Sequence, residues 1–272
     1  MTTNGMTIRR ATRTAAKLRL ALDGPAGSGK THSALRLAAG LGRRICLIDT
    51  EEGSGELEAG KPGIPEYDYL PLSRPYSPER YVAALELAAR DHDVVVVDGL
   101  SHAWAGSGGV LEMHDLAAKS GRGERENRFT AWRDVTPAHN RLVDALLACP
   151  AHVIATMRTK TEYEVVDGKP KKVGTAPIQR AGMEYEFTVV FDLSQEGHVA
   201  TATKDRTSLF DGQPHVIDRG TGEALARWLR EGERNQEARV QAMLAEVAAC
   251  LATDELRSWW SAVSAEVKAF TA

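Results

Sequence analysis

Apolar residues in this chain fall into short runs that alternate with stretches of helical spacing. Lys17-Leu18-Arg19-Leu20-Ala21-Leu22 alternates as a strand does, and Ser33 to Leu41 then carries apolar residues at helical intervals. Arg44 to Asp49 (RICLID) is an apolar run ending in an acid, which suits a buried parallel strand. Glu52 to Pro65 is rich in Gly and Glu and reads as a loop, and Tyr67 to Leu72 as a further strand. Ser77-Pro78-Glu79 opens a helix through Arg90, with Ser77 as cap and Pro78 at the first helical position. Asp93 to Asp98 is the most strand-like segment of all. Helical stretches at 109–119 and 134–148 follow, then a buried strand from His152 to Met157.

This order predicts an α/β fold, a mostly parallel sheet covered by helices. The pattern changes after Met157. Glu162–Val166, Tyr185–Leu193 and His198–Thr203 are strand-like pieces joined by short turns, expected as antiparallel additions at a sheet edge. From Thr221 the chain reads as helical to its end. A start signal at Thr253-Asp254-Glu255 precedes a stripe of Leu256, Trp260, Val263, Val267 and Phe270. A polar run at 231–237 divides an expected core, 1–230, from a C-terminal helical extension, 231–272.

Composition narrows the class. The chain has 272 residues, 43% of them hydrophobic, so disorder throughout is excluded. A net charge of −3 leaves nucleic-acid binding to local patches. Cys46, Cys149 and Cys250 are scattered and odd in number, which points to buried thiols in a reducing cytoplasm. No apolar stretch approaches the ~20 residues of a membrane span, so no membrane partner is expected. The basic start (Arg9, Arg10, Arg13, Lys17, Arg19) runs straight into a strand and reads as an arm or a first strand rather than a cleaved leader.

The most specific chemistry lies between the first strand and the first helix. Gly24-Pro25-Ala26-Gly27-Ser28-Gly29-Lys30-Thr31 fits the phosphate-loop pattern. Its glycines allow a tight turn whose amides point at phosphate oxygens, at the N-terminus of the following helix. Lys30 then reaches the β- and γ-phosphates and the Thr31 hydroxyl ligates Mg²⁺, with His32 next in line. A nucleoside triphosphate, taken as ATP, and Mg²⁺ are the expected cofactors. Asp98, ending its strand beside the loop, is the expected Mg²⁺-associated acid. Glu51, just past another strand end, is the candidate to activate the attacking water, with Glu52 as rival.

Ile48-Asp49-Thr50-Glu51 resembles the strand-end segment of RecA-type recombinase ATPases, in which the Glu activates water. Val153 to Arg158 is similar to the strand that carries their polar γ-phosphate sensor and leads into a DNA-binding loop; this chain has Thr156 where that family commonly has Gln. Thr203-Lys204-Asp205-Arg206 resembles their paired-cation segment, which implies that Lys204 and Arg206 reach a neighbouring subunit's nucleotide. A closer resemblance is to phage-encoded RecA-like P-loop ATPases, an AAA-type group that includes single-strand annealing proteins. It rests on Leu18–Leu37, Val94–Trp104, Met157–Tyr163, Gln179-Arg180 and Glu184–Phe187, and covers about residues 7–230. The resemblance implies a RecA-like fold and a homo-oligomer with nucleotide at the subunit interface. It also implies a role in DNA recombination in a bacterial host, with a recombination or single-strand-binding protein as possible partner.

Two basic clusters are candidates for single-stranded DNA. Arg158, Lys160, Lys169, Lys171, Lys172 and Arg180 outnumber the acids between them, and Gly168 and Pro170 make part of this stretch a loop. Lys119, Arg122, Arg125 and Arg128 form the second, with Phe129 and Trp132 behind. The eight histidines show no metal-ligand spacing. The expected protein is a Mg²⁺-dependent ATPase acting on single-stranded DNA. Two alternatives stay open: a small-molecule kinase, with the Arg122–Arg128 stretch as lid, and a nucleotide-gated partner-binding module in which the last helices, with Trp259-Trp260, meet the partner.

Overall fold

The computed structural model describes residues 2–3, 6–7, 17–120, 128–166, 169–249 and 258. The chain divides into two compact units, Lys17–Ala226 and a second formed by Met1–Ala16 with Arg227–Ala272. In the second, β1 (Thr2–Thr3) pairs antiparallel with β2 (Met6–Thr7). The stripe expected at Leu256–Phe270 lies outside the described residues.

The larger unit runs β3 (Arg19–Gly24), α1 (Lys30–Leu41), β4 (Ile45–Asp49), β5 (Asp68–Pro71), α2 (Pro78–Ala88) and β6 (Val94–Asp98). Then come α3 (Ser101–Ala105), α4 (Val110–Ser120), α5 (Arg128–Ala148), β7 (His152–Val166) and β8 (Lys169–Pro177). Last are β9 (Val189–Leu193), β10 (Val199–Asp205), β11 (His215–Val216) and the start of α6 (Arg219–Ala249). The main sheet has the order β11-β10-β9-β3-β7-β6-β4-β5. From β9 to β5 every pairing is parallel; β10 and β11 are antiparallel additions beside β9.

Side-chain alternation splits the sheet residues between two layers. Ala21, Val95, Val97, Val153 and Ala155 join one core with Tyr81 and Leu85 of α2 and Leu142 and Leu146 of α5. Their neighbours Leu20, Leu22, Val96 and Ile154 are equally buried and point the other way, where α1 packs on β3, β6 and β7. The first turn of α6 meets the end of α1 very closely: a Cβ on Gly222 would stand 2.1 Å from the Leu37 carbonyl oxygen.

Three expectations are corrected. Arg19 reads as a polar strand position, yet every residue of β3 is buried, because a central parallel strand is covered on both faces. Its guanidinium bonds the carbonyls of Leu18 and Ala151 at 2.9 Å each, and those of Leu147 and Cys149 at the end of α5. The Tyr185–Leu193 piece is not an antiparallel edge: Met183–Glu186 is a 3-10 turn, and β9 is a parallel core strand directly beside β3. The stretch from Arg158 to Arg180, read partly as a basic loop, is largely a hairpin in which β7 and β8 pair from Thr159↔Pro177 to Val166↔Lys169. Its Thr, Tyr and Val residues favour the extended chain.

Candidate active site

The carboxyl ends of β3, β7, β6 and β4 converge on one edge of the sheet, where ligands of open α/β sheets bind. The loop from Gly24 to Gly29 leads β3 into α1. Gly27 (φ 77°) and Gly29 (φ 82°) hold left-handed backbone that a side chain would strain. A Cβ on Gly24 would lie 2.5 Å from Ser28 Oγ, so the loop closes only over a bare glycine. The Ser28 hydroxyl is fully buried and makes no hydrogen bond within the described chain. Lys30 Nζ donates to the carbonyls of Gly24 (2.9 Å) and Pro25 (2.8 Å), which holds the ammonium along the loop. Burial lowers the Lys30 ammonium from its ordinary range, opposed by Asp98 and Glu51.

Asp98 is fixed from both sides. Thr31 Oγ1 donates to one carboxylate oxygen at 2.8 Å and Thr156 Oγ1 to the other at 2.7 Å. The Thr156 hydroxyl also accepts from the Gly99 amide at 2.8 Å. It is buried and bridges to the acid, so in this arrangement Thr156 positions Asp98. Burial pushes the Asp98 carboxyl up to about 6, against the pull of the two threonine hydrogen bonds. Asp98 ends its strand beside the loop and lines one cleft with Gly27, Lys30 and Thr31. Strand β7 lies between the loop strand and the Asp98 strand, and α1, which packs across β3, β7 and β6, brings Thr31 to Asp98.

Glu51 and Glu52 part company here. The turn after β4 is built on Asp49, a buried carboxylate that accepts from the amides of Glu51 (2.6 Å), Gly53 (3.0 Å) and Gly55 (3.2 Å) and from the Tyr69 hydroxyl (2.8 Å). Glu51 thereby lines the cleft of about 730 Å³ that also holds Lys30, Thr31 and Asp98. Glu52, with left-handed backbone (φ 55°), turns away from that cleft to pair with Arg74 at 2.8 Å. Glu51 itself is clamped by Arg158: Nε meets Oε1 at 3.0 Å and Nη2 meets Oε2. The role of Asp49 was missed; its signal is an acid two residues before the turn residue Glu51, the spacing of a side chain that caps its own turn.

Loop 54–61 walls the cleft opposite the phosphate loop. His32 Nδ1 and Lys61 Nζ both meet the Glu58 carboxylate, at 2.8 and 2.6 Å. Burial would raise Glu58, but these partners outweigh it and hold it below the usual carboxylate range.

The remaining candidates lie apart. Lys204 Nζ donates to the carbonyls of Glu184 (2.9 Å) and Tyr185 (2.7 Å), and Arg206 to that of Tyr185 (3.1 Å), so both are tied to their own 3-10 turn. Lys160 is exposed on β7, and Lys169, Lys171 and Lys172 belong to β8. Arg180 lines another cleft of about 510 Å³, which also takes in Asp23, Glu184 and Asp192. Burial there pushes Asp23 up to about 7, with Asp192 and Glu184 adding. In the second basic cluster, Arg122 and Arg125 lie outside the described residues. Phe129 is exposed, while Trp132 stacks on Trp104 and His114.

The donor set suits a magnesium triphosphate. Mg²⁺ generally keeps few protein ligands and completes its shell with phosphate oxygens and water, and Thr31 and Asp98 would supply one hydroxyl and one carboxylate. Among the described residues no three His, Cys, Asp or Glu side chains gather as a self-sufficient metal cage. Nor is any described helix long and apolar enough to cross a membrane. Residues 16–220, about three quarters of the chain, match the family described as an AAA domain. No curated protein matches the chain.

Proposed function

The chain belongs to the AAA domain family, an ATP-binding and ATP-hydrolysing class of P-loop NTPase, and from that premise we propose a Mg²⁺-dependent ATPase with a RecA-like core that acts on single-stranded DNA. The observation that carries the ATPase reading is one cleft lined by Lys30, Thr31, Asp98 and Glu51. The RecA-like reading is supported by the strand order, in which β7, bearing Thr156, separates the loop strand from the Asp98 strand.

The loop amides and the Lys30 ammonium would take the β- and γ-phosphates, Lys30 exchanging two carbonyl oxygens for phosphate oxygens. Thr31 and Asp98 would hold Mg²⁺, which when bound neutralises charge developing on the transferred phosphoryl group. Thr156 keeps the Asp98 carboxylate aimed at that position. Glu51, released from Arg158, orients a water and accepts its proton in line with the γ-phosphorus. Arg158 opens the β7–β8 hairpin, so the hairpin that carries the proposed DNA-contacting cations, Lys160 on β7 and Lys169, Lys171 and Lys172 on β8, would also govern Glu51.

Annealing or strand exchange in phage-type recombination is the process this chemistry would serve, in the cytoplasm of a bacterial host. In a homo-oligomer, Lys204 and Arg206 would leave their own Tyr185 carbonyl for the neighbour's nucleotide. Calorimetry with ATP and Mg²⁺ paired with phosphate release tests the core of this reading. Wild type binds and turns over, and Lys30→Ala does neither. Glu51→Gln keeps binding while turnover falls by about a hundredfold or more. A Lys30→Ala protein that hydrolyses ATP at the wild-type rate defeats it.

A further inference from the structure

Behind Glu51, on the side away from the phosphate loop, lies a second cleft of about 450 Å³ whose lining includes Arg74, Arg158, His102, Ser107, Glu51 and Glu52. Two arginines reach into it, and each is held by one of two consecutive glutamates, Arg158 by Glu51 and Arg74 by Glu52. The left-handed backbone at Glu52 splays these neighbours so that both can be engaged at once. Three of the four side chains are about half exposed or more, and Glu51 is a quarter exposed. The Arg74–Glu52 pair, open to solvent on both sides, contributes little and exchanges readily, whereas the two-point Arg158–Glu51 clamp yields to a competing anion of matching geometry.

A guanidinium fork fits a phosphate as well as it fits a carboxylate, and two forks around one cavity suit one phosphate group. Arg158 also lines the cleft of Lys30 and Asp98, so its side chain borders both cavities. It stands two residues after Thr156, whose hydroxyl fixes Asp98. Beyond it β7 runs into the hairpin with exposed Lys160.

We propose that this second cleft is a phosphate-binding site for the backbone of a nucleic-acid strand. A strand phosphate there takes Arg158 from Glu51 and Arg74 from Glu52, and the freed Glu51 carboxylate turns to its water. The exchange couples strand binding to hydrolysis without any movement of the phosphate loop. Arg74 becomes a strand contact that its sequence context does not mark. The coupling rests on the ATPase reading above, whereas the site itself does not.

Two measurements on the full chain separate them. The first is binding of a fluorescent oligo-dT across a salt series, without ATP. Arg74→Gln should lower the slope of log K against log salt by about 0.7, the share of one phosphate on a single strand. An unchanged slope and affinity overturns the site, and so does a wild type that does not bind the strand. The second is ATP hydrolysis. Arg158→Gln should raise the rate without DNA by up to about fivefold, the worth of an exposed pair, and should remove stimulation by oligo-dT. A DNA-free rate at or below wild type overturns the release of Glu51. Sulfate at matched ionic strength tests the source of the anion: stimulation equal to that of oligo-dT would assign the site to free oxyanions and overturn the strand. A wild type that neither binds nor hydrolyses ATP refutes the ATPase reading, and the salt slope still judges the site.

Discussion

Glu51 and Glu52 are adjacent and chemically alike, yet they end up in different chemistry because Asp49 holds three amides of the turn that bears them. With its own lone pairs spent, Asp49 is a positioning residue, and Glu51 faces the loop. Another single residue sets a pH limit on the fold. His152 Nδ1 accepts from the Leu18 amide at 3.0 Å, a bond only the neutral ring can make. Burial, aided by Lys17 and Arg19, lowers its pKa from 6.5 to about 4. The unfolded chain therefore binds this proton more readily between those values. The contribution is whole above pH 6.5, shrinks as pH falls through the window, and is gone below about 4. Denaturant titrations at pH 7 and pH 4 should show wild type losing about 2–3 kcal/mol more than His152→Asn, which keeps an acceptor near the Nδ1 position. Equal losses would remove His152 from the acid response.

Among the elements, α5 and β3 are joined by one buried cation. The last carbonyls of a helix lack partners inside it, and Arg19 supplies donors to Leu147 and Cys149 while also bonding Leu18 and Ala151. No carboxylate takes part in these bonds. Arg19→Met keeps the volume but leaves carbonyls buried and unpaired, and should cost about 2–4 kcal/mol in a urea titration. A midpoint within error of wild type would show that water replaces the guanidinium. The same helix shows a misplaced boundary. The predicted stretch starts at 134, whereas α5 begins at Arg128 and carries Pro137 inside. Strand β9 was legible as a strand but not as parallel, since an apolar run carries no mark of the direction of its neighbour.

At the scale of the whole molecule, the cleft ties ligand to stability. Mg²⁺-ATP at a hundredfold excess over its Kd should raise the unfolding free energy by about 2.7 kcal/mol, measurable as a higher Tm. Lys30→Ala should show no such rise, and a rise equal to wild type would place the nucleotide elsewhere. Features that depend on neighbours along the chain can be read from the order of residues. The phosphate loop is one, because its glycines, Lys30 and Thr31 act through a single continuous turn. The α/β order is another, because alternation and helical spacing are local periodicities. Features that join residues distant in sequence emerge from the folded arrangement. It set Glu51 in the cleft of Lys30 and turned Glu52 to Arg74, interposed β7 between the loop strand and Asp98, and turned a basic stretch into a hairpin. It also brought Arg74 and Arg158 to one cavity and buried Arg19 as a helix cap. Side-chain direction, desolvation and pairing across the sheet are set by packing, and packing joins residues that no local pattern connects.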